Sequence, residues 1–287
     1  MLFKVKRKIL YLMCGRTITV SKIEKVEKVY NVKLKPSDSE FFKPNYNCSV
    51  GQLAPVITSQ NPNQLQMFKF GLTPEWASKE IFLFNARSEG DNNKENDSGY
   101  TGGMGIISKP AFRKQIRSKR CLIIVDAFYE GSEKEGLSKP YLVYLIDRKP
   151  FALAGLYDTW VNPDTQQVVN SFTIVTTVAN DLMKQIGHHR SPVILSKMNE
   201  YAWLNEKSSL ASVTKLMQPY DKSLMNAYPV SPLIKNPKNN NRELIEPIGE
   251  RIYKEFINKV VEYPKVEGMG KNKDRGWGEK SMFNKKS

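Results

Sequence analysis

Histidine is nearly absent from this 287-residue chain: there are two, and they are adjacent, His188 and His189. Cysteine is almost as scarce. Cys14, Cys48 and Cys121 are too few for a disulfide framework and fit a reducing compartment. None of them stands in a paired Cys/His spacing, so no metal and no cofactor is expected. No apolar run approaches the length that spans a bilayer, so no membrane partner is expected. Acid is in deficit, with 29 Asp and Glu against 44 Lys and Arg, for a formal charge of +15. Residues 1–12 carry net +4 and residues 265–287 net +4, which leaves +7 on 13–264. A basic excess spread through the body of a protein points to a polyanion partner, of which nucleic acid is the commonest. A basic surface that merely keeps the protein soluble has the same composition.

A hydrophobic content of 40% and a charged content of 25% belong to a globular protein. Residues 1–12 mix Lys4, Lys6, Arg7 and Lys8 with apolar residues, without the block or cleavage site of a secretory signal. They read as an N-terminal extension, either removed or preceding the true start at Met13. Residues 21–31 predict a helix capped by Ser21, and 53–58 and 65–70 predict two strands around Asn61-Pro62-Asn63. Residues 91–105 are polar and Gly-rich and predict a flexible loop. Ala111 to Ser118 predicts a short basic helix. Strands are expected at Cys121–Phe128, Tyr141–Ile146, Phe151–Tyr157, Ser171–Thr177, 224–230 and 243–248, and helices at Met198–Leu204 and Leu210–Met217. Asn236 to Asn241 predicts a loop. Beyond about Lys265 the chain is basic and aperiodic and predicts a disordered tail. Together these give one β-dominated α+β domain over 13–264, with a few short helices.

Five segments carry chemistry. Met13-Cys14-Gly15-Arg16 would place a cysteine first if Met13 were the initiator and were trimmed. A terminal cysteine presents an amine and a thiol on neighbouring carbons and can close a thiazolidine on an aldehyde; an internal one cannot. On these four residues alone, Cys14 reads as a buried cysteine beside an ordinary Gly-Arg turn. Asn85-Ala86-Arg87-Ser88-Glu89 sets an amide and a guanidinium on one side of an extended strand. Asp126-Ala127-Phe128-Tyr129-Glu130-Gly131 ends an apolar run with a carboxylate, which is either desolvated for proton transfer or an exposed strand end. Ile186-Gly187-His188-His189-Arg190-Ser191-Pro192 holds both imidazoles, the side chains best suited to moving protons near neutral pH. In an extended segment the two would face opposite ways. Phe70-Gly71-Leu72-Thr73-Pro74-Glu75-Trp76 is a turn whose tryptophan is either core or a platform for a base.

In this order the segments resemble the SRAP-domain family, the SOS response-associated peptidases, which include abasic-site processing proteins. Lys109-Pro110-Ala111-Phe112, Arg120-Cys121-Leu122-Ile123, Pro192-Val193-Ile194-Leu195 and Val230-Ser231 extend the match over nearly all of 13–250. The resemblance implies barrel-like antiparallel sheets whose cleft binds single-stranded DNA containing abasic sites and crosslinks to them through the N-terminal cysteine. It implies Cys14 as nucleophile, Asn85 as the group that orients the reactants, Glu130 beside the α-amine, and His188 as acid–base, with His189 at the second position. Arg87 and Arg16 would hold phosphate, and Trp76 would stack on a base. It also implies lyase activity, cleavage of the chain's own leader, a monomer, and an intracellular site: the nucleus in a eukaryote, the nucleoid or cytoplasm in a bacterium, with the mitochondrion open. A cysteine peptidase or amidase using Cys14, His188 and Asn85, and a non-covalent single-strand-binding module, remain as alternatives. The chain departs from the family pattern at Asn47-Cys48-Ser49-Val50, which lacks a proline, at Gly131, where Trp is common, and in the length of 91–105.

Overall fold

The computed structural model describes residues 15–97 and 99–255. Cys14, residues 1–12 and the tail from 265 lie outside the described residues. Fourteen strands and five α-helices are described, the strands carrying most of the core. In chain order they begin with β1 (Arg16–Thr19), α1 (Ile23–Tyr30), β2 (Lys33–Leu34), β3 (Asn45–Ser49), β4 (Leu53–Thr58), β5 (Asn61–Phe70) and β6 (Asn85–Arg87). There follow α2 (Gln115–Ser118), β7 (Arg120–Val125), β8 (Ala127–Gly131), β9 (Pro140–Leu145), β10 (Phe151–Val161) and β11 (Val168–Val178). The chain then forms α3 (Asp181–Ile186), β12 (Arg190–Pro192), β13 (Ile194–Leu195), α4 (Lys197–Leu204), α5 (Leu210–Lys215) and β14 (Met225–Pro229).

Five strands close on themselves. β11 pairs with β10, β10 with β7, β7 with β4 and β4 with β5, all antiparallel, and β5 returns to β11 in parallel through Ser171↔Lys69 and Phe172↔Phe70. Closure removes the exposed edges that an open sheet would present. A second sheet runs β14-β9-β8-β1-β3. The strand expected over Cys121–Phe128 is two strands in different sheets. They part at Asp126, whose carboxylate accepts from the Val20 and Ser21 amides and the Ser21 hydroxyl, while its own amide donates to Ile18. A continuous apolar run carries no mark of such a division.

The run is continuous because both faces are covered. Along β7, Cys121, Ile123 and Val125 join one apolar cluster, with Phe70, Phe172 and α3, while Leu122 and Ile124 join another with Val26 of α1, Trp203 of α4 and Val213 of α5. Phe70 and Phe172 stack with centroids 5.0 Å apart. A Cβ at Gly155 of β10 would overlap the side chains of Ile123 and Cys121, so the strands approach closely only because glycine stands there. The buried Arg120 guanidinium donates to the carbonyls of Ile116, Arg117, Trp203 and Asn205, satisfying the C-terminal ends of α2 and α4.

Helix α2 is shorter than the expected 111–118, and the strand expected at 243–248 is instead a 3-10 turn, Arg242–Ile245. Two 3-10 turns, Gly90–Asn93 and Gly105–Ile107, bracket the polar segment 91–105. Side chains tie that segment together: Asn93 bonds the backbone of Asp97 in both directions, and Asn92 reaches the Gly103 carbonyl. Asn47, where the family proline is missing nearby, is buried and donates to the carbonyls of Ile234, Asn236 and Asn239, pinning the 234–239 loop to β3. Among the described residues no helix is long and apolar enough to cross a membrane.

Candidate functional site

β11 organises the site. Its edge pairs first with β5 and then with β6, Asn85↔Ile174 and Arg87↔Thr176, so Asn85 and Arg87 lie on one side of a short strand whose Ala86 points into the core. Farther along, Val178↔Arg190 brings β12 alongside. Glu130 arrives from the other sheet on β8. There β1 runs antiparallel through Thr17↔Phe128 and Ile18↔Ala127. Carried back, that register sets the buried Gly15 across from Glu130.

His188 is delivered by the end of α3. Asn180 caps that helix by accepting from the Met183 amide. Gly187 ends it at φ +83°, in the left-handed region. The amides of Gly187 and His188 then donate to Lys184 and Met183, closing a Schellman turn. His188 Nε2 lies 3.3 Å from Glu130 Oε1, and the two residues are only 5% and 2% exposed. Glu130 is therefore the desolvated carboxylate, not an exposed strand end. His188 Nδ1 is 2.9 Å from the Arg190 carbonyl and 3.2 Å from the Arg190 amide. The first contact suits a protonated Nδ1 and the second an unprotonated one. The backbone at Arg190 thus offers Nδ1 a partner in either tautomer, with Nε2 turned to Glu130.

The two histidines do not face opposite ways. Their rings stack, with centroids 5.1 Å apart and planes 19° from parallel, and His189 Nδ1 contacts the Glu133 carboxylate. Residues 188–189 form a turn after a helix instead of an extended strand, and the alternation rule does not apply there.

Behind the imidazoles lies a buried ion pair absent from the sequence reading. Arg190 is fully buried, and its Nη2 donates to Glu89 Oε2 at 2.8 Å and to the Thr176 carbonyl at 2.9 Å. Burial works against ionisation of Glu89, but the hydrogen bond and charge of Arg190 outweigh it and hold the carboxyl below its usual range. Arg190 Nε and Nη1 find no partner among the described residues, nor does the buried Arg87 Nε. Arg87 Nη2 donates to the Asn93 carbonyl and the Asn96 side chain, so the 91–97 segment anchors it. Its guanidinium is lowered in pKa, first by burial and then by the Arg190 charge. Of these two neighbouring guanidiniums only that of Arg87 is partly exposed, and a guanidinium there suits an anion of the phosphate type. Glu89 belongs to the same motif as Asn85, and Arg190 follows His189. Nothing local pairs residues 101 positions apart.

Arg16 and Trp76 stand elsewhere. Arg16 donates to Asn47 Oδ1 at 2.8 Å and to the Lys235 carbonyl at 2.9 Å, and burial lowers its pKa. It fastens Lys235 and, through Asn47, the 234–239 loop to β1. Trp76 is 62% exposed and sits on a turn tied to Ser171, five residues down β11 from Thr176 and so roughly 17 Å along an extended strand. That turn is held firmly. The Glu75 amide donates to the buried Asp158, which also accepts from Lys119 and Gln115, and Trp160 donates to the Ala77 carbonyl. Trp76, Pro110, Arg113 and Lys114 line one side of an open cleft there.

A closed barrel whose strand β11 carries Arg87 on β6 and Arg190 on β12 along its edge, with a buried Glu130–His188 pair close by, defines the class: a β-barrel protein with a carboxylate–imidazole pair and two arginines gathered from four separate elements. The chain belongs to the SOS response associated peptidase (SRAP) family, whose family model matches residues 13–237. It is similar to the abasic site processing protein YoqW of Bacillus subtilis (strain 168), at 37% identity over 240 residues, covering 82% of this chain and 99% of that one. It is also similar to the abasic site processing protein HMCES of Xenopus tropicalis, at 25% identity over 280 residues, covering 82% and 78%. A crystal structure of a Bacteroides thetaiotaomicron protein superimposes with a TM-score of 0.69 at 28% identity, covering 82% of this chain and 99% of that one.

Proposed function

We propose that this protein processes abasic sites in single-stranded DNA by forming a thiazolidine crosslink through Cys14. The observation that carries the proposal is the buried Glu130–His188 pair, set beside Arg87 and Arg190 and across from Gly15, the residue to which Cys14 is covalently joined. The reading requires that residues 1–13 be absent from the mature chain, so that Cys14 has a free α-amine. Removal of that leader by the protein itself is part of the proposal.

The chemistry balances as an aldehyde and an aminothiol giving a thiazolidine and one water. The ring-opened abasic sugar offers an aldehyde carbon. The α-amine of Cys14, with a reference pKa of about 7.7–8.0, attacks that carbon once its ammonium proton has passed to Glu130. His188 gives a proton to the departing hydroxyl, and an imine forms as water leaves. The Cys14 thiolate, derived from a thiol with an ordinary pKa near 8.5, then adds to the imine carbon and the nitrogen regains a proton. Asn85 orients the sugar oxygen. Arg87 and Arg16 grip flanking phosphates and hold the aldehyde at high effective concentration, and Trp76 stacks on a base farther along the strand.

The test is a denaturing gel and intact mass spectrum after incubation with an oligonucleotide bearing one abasic site. The expected species is protein plus DNA less one water, with Cys14 as the first residue, and none forms with undamaged DNA. Cys14→Ser retains only a borohydride-trappable imine. An unchanged irreversible adduct with Cys14→Ala would exclude the thiazolidine.

A further inference from the structure

The structure sets two carboxylate–imidazole pairs side by side where the proposed chemistry uses one. Glu130 meets His188 at 3.3 Å, Glu133 meets His189, and the two rings stack at 5.1 Å. The second pair is built into the fold. The Glu133 amide donates to the Gly187 carbonyl, locking the turn after β8 to the end of α3. Gly187 permits this approach, since a Cβ there would lie 3.1 Å from Ser132 Cβ and its φ of +83° disfavours other residues.

We propose that His189, held by Glu133, is a positioning residue that fixes the plane of the His188 ring stacked on it. The inference rests on the acid–base role given to His188 above. Two stacked imidazolium rings repel each other, so a charge on one ring lowers the pKa of the other. His188 faces Glu130 from β8. His189 faces Glu133 from the turn but also feels Arg190 of β12 and Arg87 of β6. Burial, followed by those two positive charges, lowers the pKa of His189. A neutral His189 can donate Nδ1–H to Glu133, which sets the angle of its ring and thereby of the ring stacked on it. His189 thus works through His188 and touches no reacting atom.

The chain's two histidines make the test direct. The full-length protein is titrated by NMR, following the imidazole Cε1–H resonances, each assigned by a single substitution. His189 is expected to titrate below an ordinary imidazole. His188→Gln should raise the pKa of His189 by about half a unit or more, because the competing charge is gone. Glu133→Gln should lower it. His189→Phe, which keeps a stacked ring but loses the Glu133 contact, should shift the His188 titration and the acid limb of the adduct-formation profile only part of the way. His189→Ala should shift both. A His189 that titrates at or above the ordinary imidazole value, or Ala and Phe variants that behave alike, would overturn the proposal. The NMR result does so whether or not the protein captures abasic DNA, so failure of the inference is distinct from failure of the proposed reaction.

Discussion

Replacing Glu89 with glutamine should destabilise the protein more than most single substitutions. Glu89 and Arg190 are 2% and 0% exposed and are joined at 2.8 Å. Glutamine can still accept one hydrogen bond, but the guanidinium becomes a buried charge without a counter-ion. Two of its nitrogens already lack a partner among the described residues. Removing one member of a buried pair typically costs about 3–5 kcal/mol. For a domain of this size each kcal/mol lowers Tm by roughly 2–4 °C, so the midpoint should fall by about 6–20 °C. The pH dependence has a definite sign. Glu89 is held below its unfolded pKa of about 4.3, so its stabilisation is present above that value and is lost as pH falls through the folded pKa. The gap between wild type and Glu89→Gln should be widest near pH 7 and should close under acid conditions. Urea unfolding at pH 7 and near pH 3 measures it. Glu89→Gln combined with Arg190→Met should recover much of the loss, since no buried charge is then left unpaired. A gap below about 1 kcal/mol at pH 7, or one that stays constant into acid, would refute the assignment of Arg190 as a charge neutralised by Glu89.

Two further outcomes concern the nucleic-acid surface. Trp76→Ala should change stability by no more than about 0.5 kcal/mol, because the ring is mostly exposed, yet weaken single-stranded DNA binding by about 1–3 kcal/mol in fluorescence anisotropy. Unaltered affinity would remove Trp76 from the binding surface. Arg87→Ala should lower affinity for undamaged strands and reduce the slope of log K against log salt by about 0.7, the loss of one phosphate contact. An unchanged slope would leave Arg87 as an anchor for Asn93 and Asn96 only.

The sequence by itself determined the β-dominated α+β class, most of the long strands, and the order of motifs that marks the SRAP family. Those signals are local. The strands at 53–58 and Phe151–Tyr157 announce themselves because β-branched and aromatic residues gather between turn formers, although the second runs on to Val161. Asn85 and Arg87 share a side because alternation is a property of one strand. Tertiary structure alone decided what crosses between elements. The parallel β5–β11 pairing closes the barrel, and no periodicity announces it, since strands covered on both faces lose their alternation. Asp126 splits one apolar run between two sheets by satisfying amides more than a hundred residues away. Glu89 finds Arg190 only because β6 and β12 flank the same stretch of β11. His188 and His189 stack, where alternation would separate them, because the Schellman turn at Gly187 replaces extended backbone with a bend. A charge or a ring is set in place by whatever the rest of the fold brings next to it, and that neighbour is seldom its neighbour in sequence.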